Sequence, residues 1–347
     1  MVKNTKVVYK KLPPALPAVG EHIALETSEL DIDNVKLDDG DILIKSLVLS
    51  ADPFLRARMR EPSIKSYAPA YEIGQTMDGY GVAVVVKSAH SVFKEGHYVY
   101  GGIPFAEYSH IPKSYVSSLL LRDEAKRDQL PLTYYVGILG MPGMTAYVGF
   151  YKYAKPKKGD TIWVSAASGA VGQVVGQLAK AEGLFVIGSV GDDQKGEYLL
   201  KNGFDAVFNY KTSDMDEQLT KLAPNGIDIY YENVGGKHLD AAIAHAKNHA
   251  RFAMCGMISQ YNLENPEPVY NLSWIPAKRI QMDGFVVLDH EETIADEFTT
   301  KMTKMIKDGK IHFKEHVAIG IEKLPETLVG LFSSATFGKA VVQVAEQ

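Results

Sequence analysis

From Thr161 onward, apolar runs and amphipathic stretches take turns along the chain. Thr161 to Ala166 is an apolar strand candidate, and Gly169 to Ala181 follows with Val171, Val174, Val175 and Leu178 at helical spacing. Leu184 to Gly188 reads as the next strand, Gln194 to Lys201 as a helix, Ala206 to Phe208 as a strand and Asp214 to Leu222 as a helix. Ile227 to Tyr231, a helix from Lys237 to Lys247, then Arg251 to Met257 and Ile280 to Val287 continue the series. Strands separated by helices in this way predict a parallel sheet covered on both faces, an α/β unit.

The chain before this point has another texture. Short strand-like runs at Asp41 to Leu49, Tyr80 to Val86 and His97 to Tyr100 are punctuated by Asp39-Gly40, Ala68-Pro69 and Glu95-Gly96, so this part reads as mostly β. Leu139 to Tyr147 is small and apolar, which suits a close-packed passage between domains, either a buried loop or a direct cofactor contact. The tail carries a polar amphipathic helix from Glu292 to Lys307 and a strand from Ala340 to Val344, expected to fold back on the N-terminal part.

Length and charge narrow the picture. At 347 residues the prior is two domains, each able to bury a core. With 37 basic and 42 acidic residues the net charge is −5, and no long Lys/Arg block supplies the basic face that a nucleic-acid partner needs. No segment approaches the roughly 18 apolar residues that cross a bilayer, and the basic stretch Met1 to Lys11 has no apolar run behind it. The expectation is a cytoplasmic protein with no membrane partner. The single cysteine, Cys255, can neither pair internally nor supply clustered thiolates, and no H-x-x-x-H pairing among the ten histidines has a supporting carboxylate. No metal site is expected, and Gly79-Tyr80-Gly81 occupies the region where a catalytic zinc ligand would be sought. A G-x-S-x-G nucleophile elbow is also absent.

The chemistry that remains lies in a glycine turn. A strand, then Ser165-Ala166-Ala167-Ser168-Gly169-Ala170-Val171-Gly172, then a helix is the setting of a dinucleotide fingerprint. A small first residue permits the turn, Gly169 lets backbone approach a pyrophosphate, Gly172 lets helix and strand pack, and the helix N-terminus offers N–H groups to phosphate. Ala166 stands where the usual first glycine would be, which leaves a plain tight βα turn as the alternative. About 20 residues on, where an NAD site carries Asp or Glu for the ribose 2′-OH, this chain has Ser189, followed by Lys195. That pattern suggests a 2′-phosphate and hence NADP, with a charge-assisted lysine contact of about 1.5–3 kcal/mol. Asp192 and Asp193 argue the other way, and an ordinary surface lysine is the alternative.

Several segments in order resemble one family across nearly the whole chain: Leu49-Ser50-Ala51-Asp52-Pro53-Phe54-Leu55-Arg56, Leu139 to Tyr147, Ser165 to Gly172, Phe208-Asn209-Tyr210, Glu232-Asn233-Val234-Gly235-Gly236, Cys255 to Asn262, and Gly284-Phe285-Val286-Val287. The chain is similar to the zinc-independent medium-chain dehydrogenase/reductases, specifically the plant-type NADPH-dependent double-bond (2-alkenal) reductases and their leukotriene B4 dehydrogenase/prostaglandin reductase relatives. The resemblance implies a GroES-like domain over residues 1–130, completed by 300–347, a Rossmann NADP-binding domain over 131–299, a cleft where they meet, and a homodimer. It places Lys195 and Tyr210 at the 2′-phosphate, Gly191 near them, and Ser168, Gly169, Ala170, Val171 and Gly172 at the pyrophosphate. Asn233 and the run Cys255, Gly256, Met257, Ile258 and Ser259 would line the cofactor, with Pro53, Thr145, Phe285, Val286, Val287 and Thr336 completing its contacts. Tyr261 would hydrogen-bond near the nicotinamide ribose and the substrate carbonyl, and Phe54, Tyr80 and Leu288 would touch substrate.

The implied reaction has its own logic. Hydride delivered to the β-carbon of an enal or enone drives charge onto the carbonyl oxygen, so a donor aimed at that oxygen lowers the barrier. The Tyr261 hydroxyl and the cofactor ribose would serve, and the α-carbon then takes a proton. Phe54 replaces a tyrosine common in plant relatives, Leu288 replaces a serine, and Ser334 and Thr336 stand where Gly and Asn are usual. These departures leave the substrate open. The alternatives are an NADPH-dependent quinone oxidoreductase on the same scaffold and a non-catalytic NADPH-binding protein.

Overall fold

The structure, a computed structural model, describes residues 1–346. It divides into two compact units: Met1–Gly137 with His316–Thr336 and the chain from Ala340, and Ile138–Glu315 with Phe337–Lys339.

In the first unit β1 (Val2–Tyr9) and β2 (Ile23–Leu30) form an antiparallel pair. The larger sheet is built on β3 (Ile42–Ser50), β4 (Asp78–Ser88), β5 (Tyr98–Pro104), β6 (Tyr108–Ile111) and β7 (Leu120–Leu121). β3 is a run of β-branched and leucine residues buried at almost every position, as a central strand must be. Its Ile44 and Leu49 pack with Val85, Val99, Ile103 and Phe105 in one core.

The second unit carries β8 (Thr161–Val164), β9 (Phe185–Val190), β10 (Ala206–Asn209), β11 (Ile227–Glu232), β12 (Ala246–Met254) and β13 (Gln281–Gly284). They form one parallel sheet in the order β10-β9-β8-β11-β12-β13. Counted within the unit this is 3-2-1-4-5-6, the doubly wound order whose direction reverses between β8 and β11 and so opens a crevice at the strands' carboxyl ends. Trp163, Ile187, Phe208, Tyr230 and Phe252 make its core. The chain then returns to the seven-stranded sheet of the first unit, where β14 (Glu315–Ile319) and β15 (Lys339–Gln343) add to β3.

Four sequence expectations need correction. Leu139 to Tyr147 is not a loop: Met141–Val148 is a helix with Pro142 in its first turn, where a missing N–H costs nothing. The helix from Lys237 stops at His245, two residues early, because the Lys278 ammonium donates to the carbonyls of Ile243 and Ala244 at 3.1 and 2.6 Å and the next residues enter β12. The last parallel strand ends at Gly284, and Val287–His290 forms a 3₁₀ turn. The domain limits also move: the first unit reaches Gly137, not 130, and residues 300–315 stay with the second. The helix Glu291–Lys307 buries Phe298 and Met302, with Phe298 edge-on to Tyr147. Gln173 and Gln177 then bind the backbone of Lys314 and His312 through both amide ends, at 2.8–3.1 Å.

Candidate active site

The glycine turn sits at the carboxyl end of β8. Ala166, which replaces the usual first glycine, takes the left-handed conformation that position demands, at φ +45°. Alanine tolerates it because Gly169 N–H donates to Ala166 C=O at 2.9 Å and closes the turn. A Cβ on Gly172 would lie 2.6 Å from Ala166 O and 2.8 Å from Ala167 Cα, both backbone atoms, so only glycine lets the helix Gly172–Ala181 begin this close to the strand. Ser168, Gly169, Ala170 and Val171 lie together at that helix entrance, partly exposed.

The ends of β9 and β10 form a second corner. Gly191 follows β9 and Tyr210 follows β10, with Tyr210 N–H donating to Val190 O at 3.0 Å. A Cβ on Gly191 would stand 2.8 Å from the Tyr210 hydroxyl and 3.0 Å from Lys211 Cε. Lys195 is buried at 9% exposure; burial lowers its pKa, Asp192 opposes the shift and Lys211 adds to it. Ser189 is fully buried and accepts from Trp163 Nε1 at 3.2 Å, so it does not stand at the strand end as expected; Gly191 and Asp192 do. The two acids that argued against a phosphate are engaged elsewhere. Asp192 caps the helix Asp193–Lys201 through Gln194 and Lys195 N–H, and Asp193 accepts from Asn209 Nδ2 at 2.8 Å. His238 stacks on Trp163 and meets the Tyr210 ring edge-on at 4.9 Å; burial pushes its pKa down to about 4.

A third group forms one wall around Glu232. This fully buried carboxyl accepts at Oε1 from Tyr230 OH, Val234 N–H, Gly235 N–H and Ser165 Oγ, at 2.7–3.3 Å, and burial raises its pKa. Asn233 is fixed by Ser165 on both sides, its N–H donating to Ser165 Oγ at 2.9 Å and its Nδ2 to Ser165 O at 2.8 Å. Cys255 and Gly256 N–H donate to Glu232 O, Ile258 N–H to Asn233 O and Ser259 N–H to Val234 O, which zips the 255–261 segment to the 232–236 segment. Met257 N–H donates to the Tyr261 hydroxyl at 3.2 Å. That bond uses an oxygen lone pair of the phenol, not its O–H. The Cys255 residue is only partly covered, but its thiol is packed against the Tyr231 hydroxyl and Glu232, and its pKa is pushed up to about 12 by burial.

Thr145 is buried and turned inward: its Oγ1 donates to Met141 O at 2.8 Å, while its carbonyl accepts from Tyr231 OH at 2.9 Å. Phe285 stacks on Tyr153 at 4.7 Å; Val286 follows, Val287 is buried and Leu288 is 47% exposed. In the first unit, Pro53 opens the short helix Phe54–Arg58, and the Phe54 ring meets Tyr80 edge-on at 6.2 Å, with Tyr80 stacked on Tyr100. Ser334 takes φ +59°, in the left-handed region that favours glycine, and Thr336 lies two residues on. Among the described residues no three His, Cys, Asp or Glu side chains converge as a metal-ligating group.

The residues brought together in the second unit fit a dinucleotide: a cradle at Gly172 that a side chain would fill, a glycine beneath Tyr210, and two lysines at the end of β9 and β10. The sequence alone assigned no role to Glu232, His238 or Lys211. Glu232 opens one of the quoted segments and Lys211 directly follows another, whereas nothing local marks His238.

The family described as "Zinc-binding dehydrogenase" matches residues 170–306, and "N-terminal domain of oxidoreductase" matches 13–119. The chain is 44% identical to the 2-alkenal reductase (NADP(+)-dependent) of Nicotiana tabacum over all of this chain and 99% of that one. It is 42% identical to (+)-pulegone reductase of Mentha piperita over 94% of each. The crystal structure of CurA in complex with NADPH from Vibrio vulnificus superposes with a TM-score of 0.89 at 36% identity, over 99% of this chain and 100% of that one. With this fold and this degree of identity along the whole chain, the chain belongs to the medium-chain dehydrogenase/reductase family, on the branch that holds the NADP-dependent 2-alkenal reductases.

Proposed function

We propose that this protein reduces the carbon–carbon double bond of α,β-unsaturated aldehydes and ketones at the expense of NADPH. The observation that carries the reading is the wall latched by Glu232, which holds the Tyr261 hydroxyl by a backbone N–H in the same unit as the lysine corner. Bound NADPH supplies a hydride from its dihydropyridine ring. Gly169 to Gly172 would hold its pyrophosphate, Lys195, Tyr210 and Gly191 its 2′-phosphate end, and Asn233, Cys255, Gly256, Met257, Ile258 and Ser259 its nicotinamide half. Thr145, Phe285, Val286 and Val287 would line the reacting end.

The chain's own part in the chemistry is electrostatic. As charge grows on the substrate carbonyl oxygen, the Tyr261 O–H donates to it, and the Met257 N–H at the phenol oxygen stabilises the charge that the phenol takes on in turn. The same hydroxyl relays a proton toward the α-carbon. The supporting facts are this geometry and the 35–44% identity to several NADP-dependent or enone-acting reductases along essentially the full chain. The reading extends to a homodimer in the cytoplasm; no helix among the described residues is long and apolar enough to cross a membrane.

Tyr261→Phe tests the assignment. Loss of one oxyanion donor is expected to lower kcat on an enone roughly tenfold to a thousandfold with the Kd for NADPH little changed. An unchanged kcat across several enones removes Tyr261 from the mechanism. A hydroquinone from a quinone panel, with no saturated carbonyl from any enone, would favour the quinone oxidoreductase reading.

A further inference from the structure

The residues that resemblance places at the 2′-phosphate are Lys195 and Tyr210. The structure adds a third group to that corner. Lys211 is exposed, follows Tyr210 directly, and is anchored at its backbone by N–H donation to Asn209 Oδ1 at 3.0 Å. Its side chain runs back over the strand end, so that Cε comes to 3.0 Å from the point where a Gly191 Cβ would be, on the same side as the Tyr210 hydroxyl at 2.8 Å. The charge of Lys211 is close enough to Lys195 to disfavour protonation of that buried ammonium.

Two like charges drawn together on a half-covered surface cost free energy unless an anion sits between them. The nearby carboxylates do not fill that role for Lys211. Asp192 is turned to the N-terminus of its helix, Asp193 to Asn209, and among the described residues no carboxylate lies within ion-pair distance of the Lys211 ammonium. The Tyr210 ring is meanwhile held upright by the edge contact with His238. A compact dianion matches this arrangement of an inner lysine, a phenol and an outer lysine, because ammonium groups bind phosphate as point charges from any side.

We propose that Lys211 is a second cation for the 2′-phosphate, and that it shares with Lys195 the discrimination between NADP and NAD. The proposal rests on the NADP reading of this corner and assigns a specificity residue within it. Lys195, buried, sets the position of the phosphate; Lys211, at the rim, supplies the charge that closes over it and accelerates capture.

The test is calorimetric titration of the intact protein with adenosine 2′,5′-bisphosphate and with AMP, which needs no turnover. In Lys211→Gln the affinity for the bisphosphate is expected to fall roughly threefold to thirtyfold, with AMP binding unchanged within twofold and a shallower dependence of log Kd on log salt. Lys211→Arg is expected to keep the bisphosphate affinity, which separates charge from local packing. Bisphosphate affinity that stays unchanged in Lys211→Gln, while Lys195→Ala still loses it, overturns the proposal and leaves the NADP reading standing. Wild-type protein that binds AMP as tightly as the bisphosphate overturns both.

Discussion

Acid is expected to weaken the nucleotide-binding unit through one imidazole. His238 is 6% exposed, stacks on Trp163 and touches the Tyr210 ring, and its pKa falls from an ordinary 6.5 to about 4 because burial penalises the charged form. Above pH 6.5 the imidazole is neutral in both folded and unfolded chains and contributes no pH dependence. As pH falls from there toward 4, the unfolded chain binds a proton that the folded one excludes, so stability falls with pH across that window and levels off below it. At pH 5.0 the gap is about 1.5 pH units at about 1.4 kcal/mol each, a loss of about 2 kcal/mol. The perturbation is His238→Phe, which keeps a flat ring between Trp163 and Tyr210; His238 Nε2 has no hydrogen-bond partner, so nothing is forfeited there. Urea unfolding followed by the fluorescence of Trp163, which is fully buried, reads this unit at pH 7.5 and 5.0. Wild type is expected to lose about 2 kcal/mol more than the variant between the two pH values. The same pH dependence in both proteins refutes the reasoning.

Two further outcomes follow from the cofactor site. Gly172→Ala places a methyl group 2.6 Å from a backbone oxygen, so the turn must open; the Kd for NADPH, measured by fluorescence titration, is expected to rise at least roughly tenfold, or about 1.4 kcal/mol, and an unchanged Kd contradicts the assignment of the turn. Cys255, with its thiol pKa pushed up to about 12, stays protonated at any pH used for assay, and enals are themselves thiol-seeking electrophiles. In the folded protein at pH 7.5 mass spectrometry is expected to show Cys255 unmodified by N-ethylmaleimide over an hour, and fully modified in urea; rapid labelling of the folded chain argues against this environment.

The parallel sheet was legible because each strand is a short apolar run followed by a helix with its own periodicity, and the six expected strands all lie in it. Its ends were not. Lys278 terminates the helix at His245 from more than 30 residues away, a tertiary contact that no local window contains. Leu139 to Tyr147 looked like a loop because its glycines and proline are turn residues; they serve instead as a first-turn proline and a contact with the backbone of Ile138. The boundary near 300 failed because the helix after Glu291 is polar on most faces, with only Phe298 and Met302 fully inside. Of the proposed site, the glycine turn and Lys195 could be picked out from spacing alone. Ala166 hid its left-handed backbone behind an ordinary side chain, and Asp192 looked like a repellent charge although its carboxylate is spent on a helix cap.

The most direct measurement follows the hydride. With NADPH deuterated at the transferable position and a conjugated aldehyde such as 2-hexenal, NMR of the product is expected to show a saturated aldehyde with deuterium on the β-carbon and the carbonyl intact. Deuterium on the carbinol carbon of an allylic alcohol would contradict the proposed reaction, because the charge would then have developed at an oxygen receiving no conjugated electron pair.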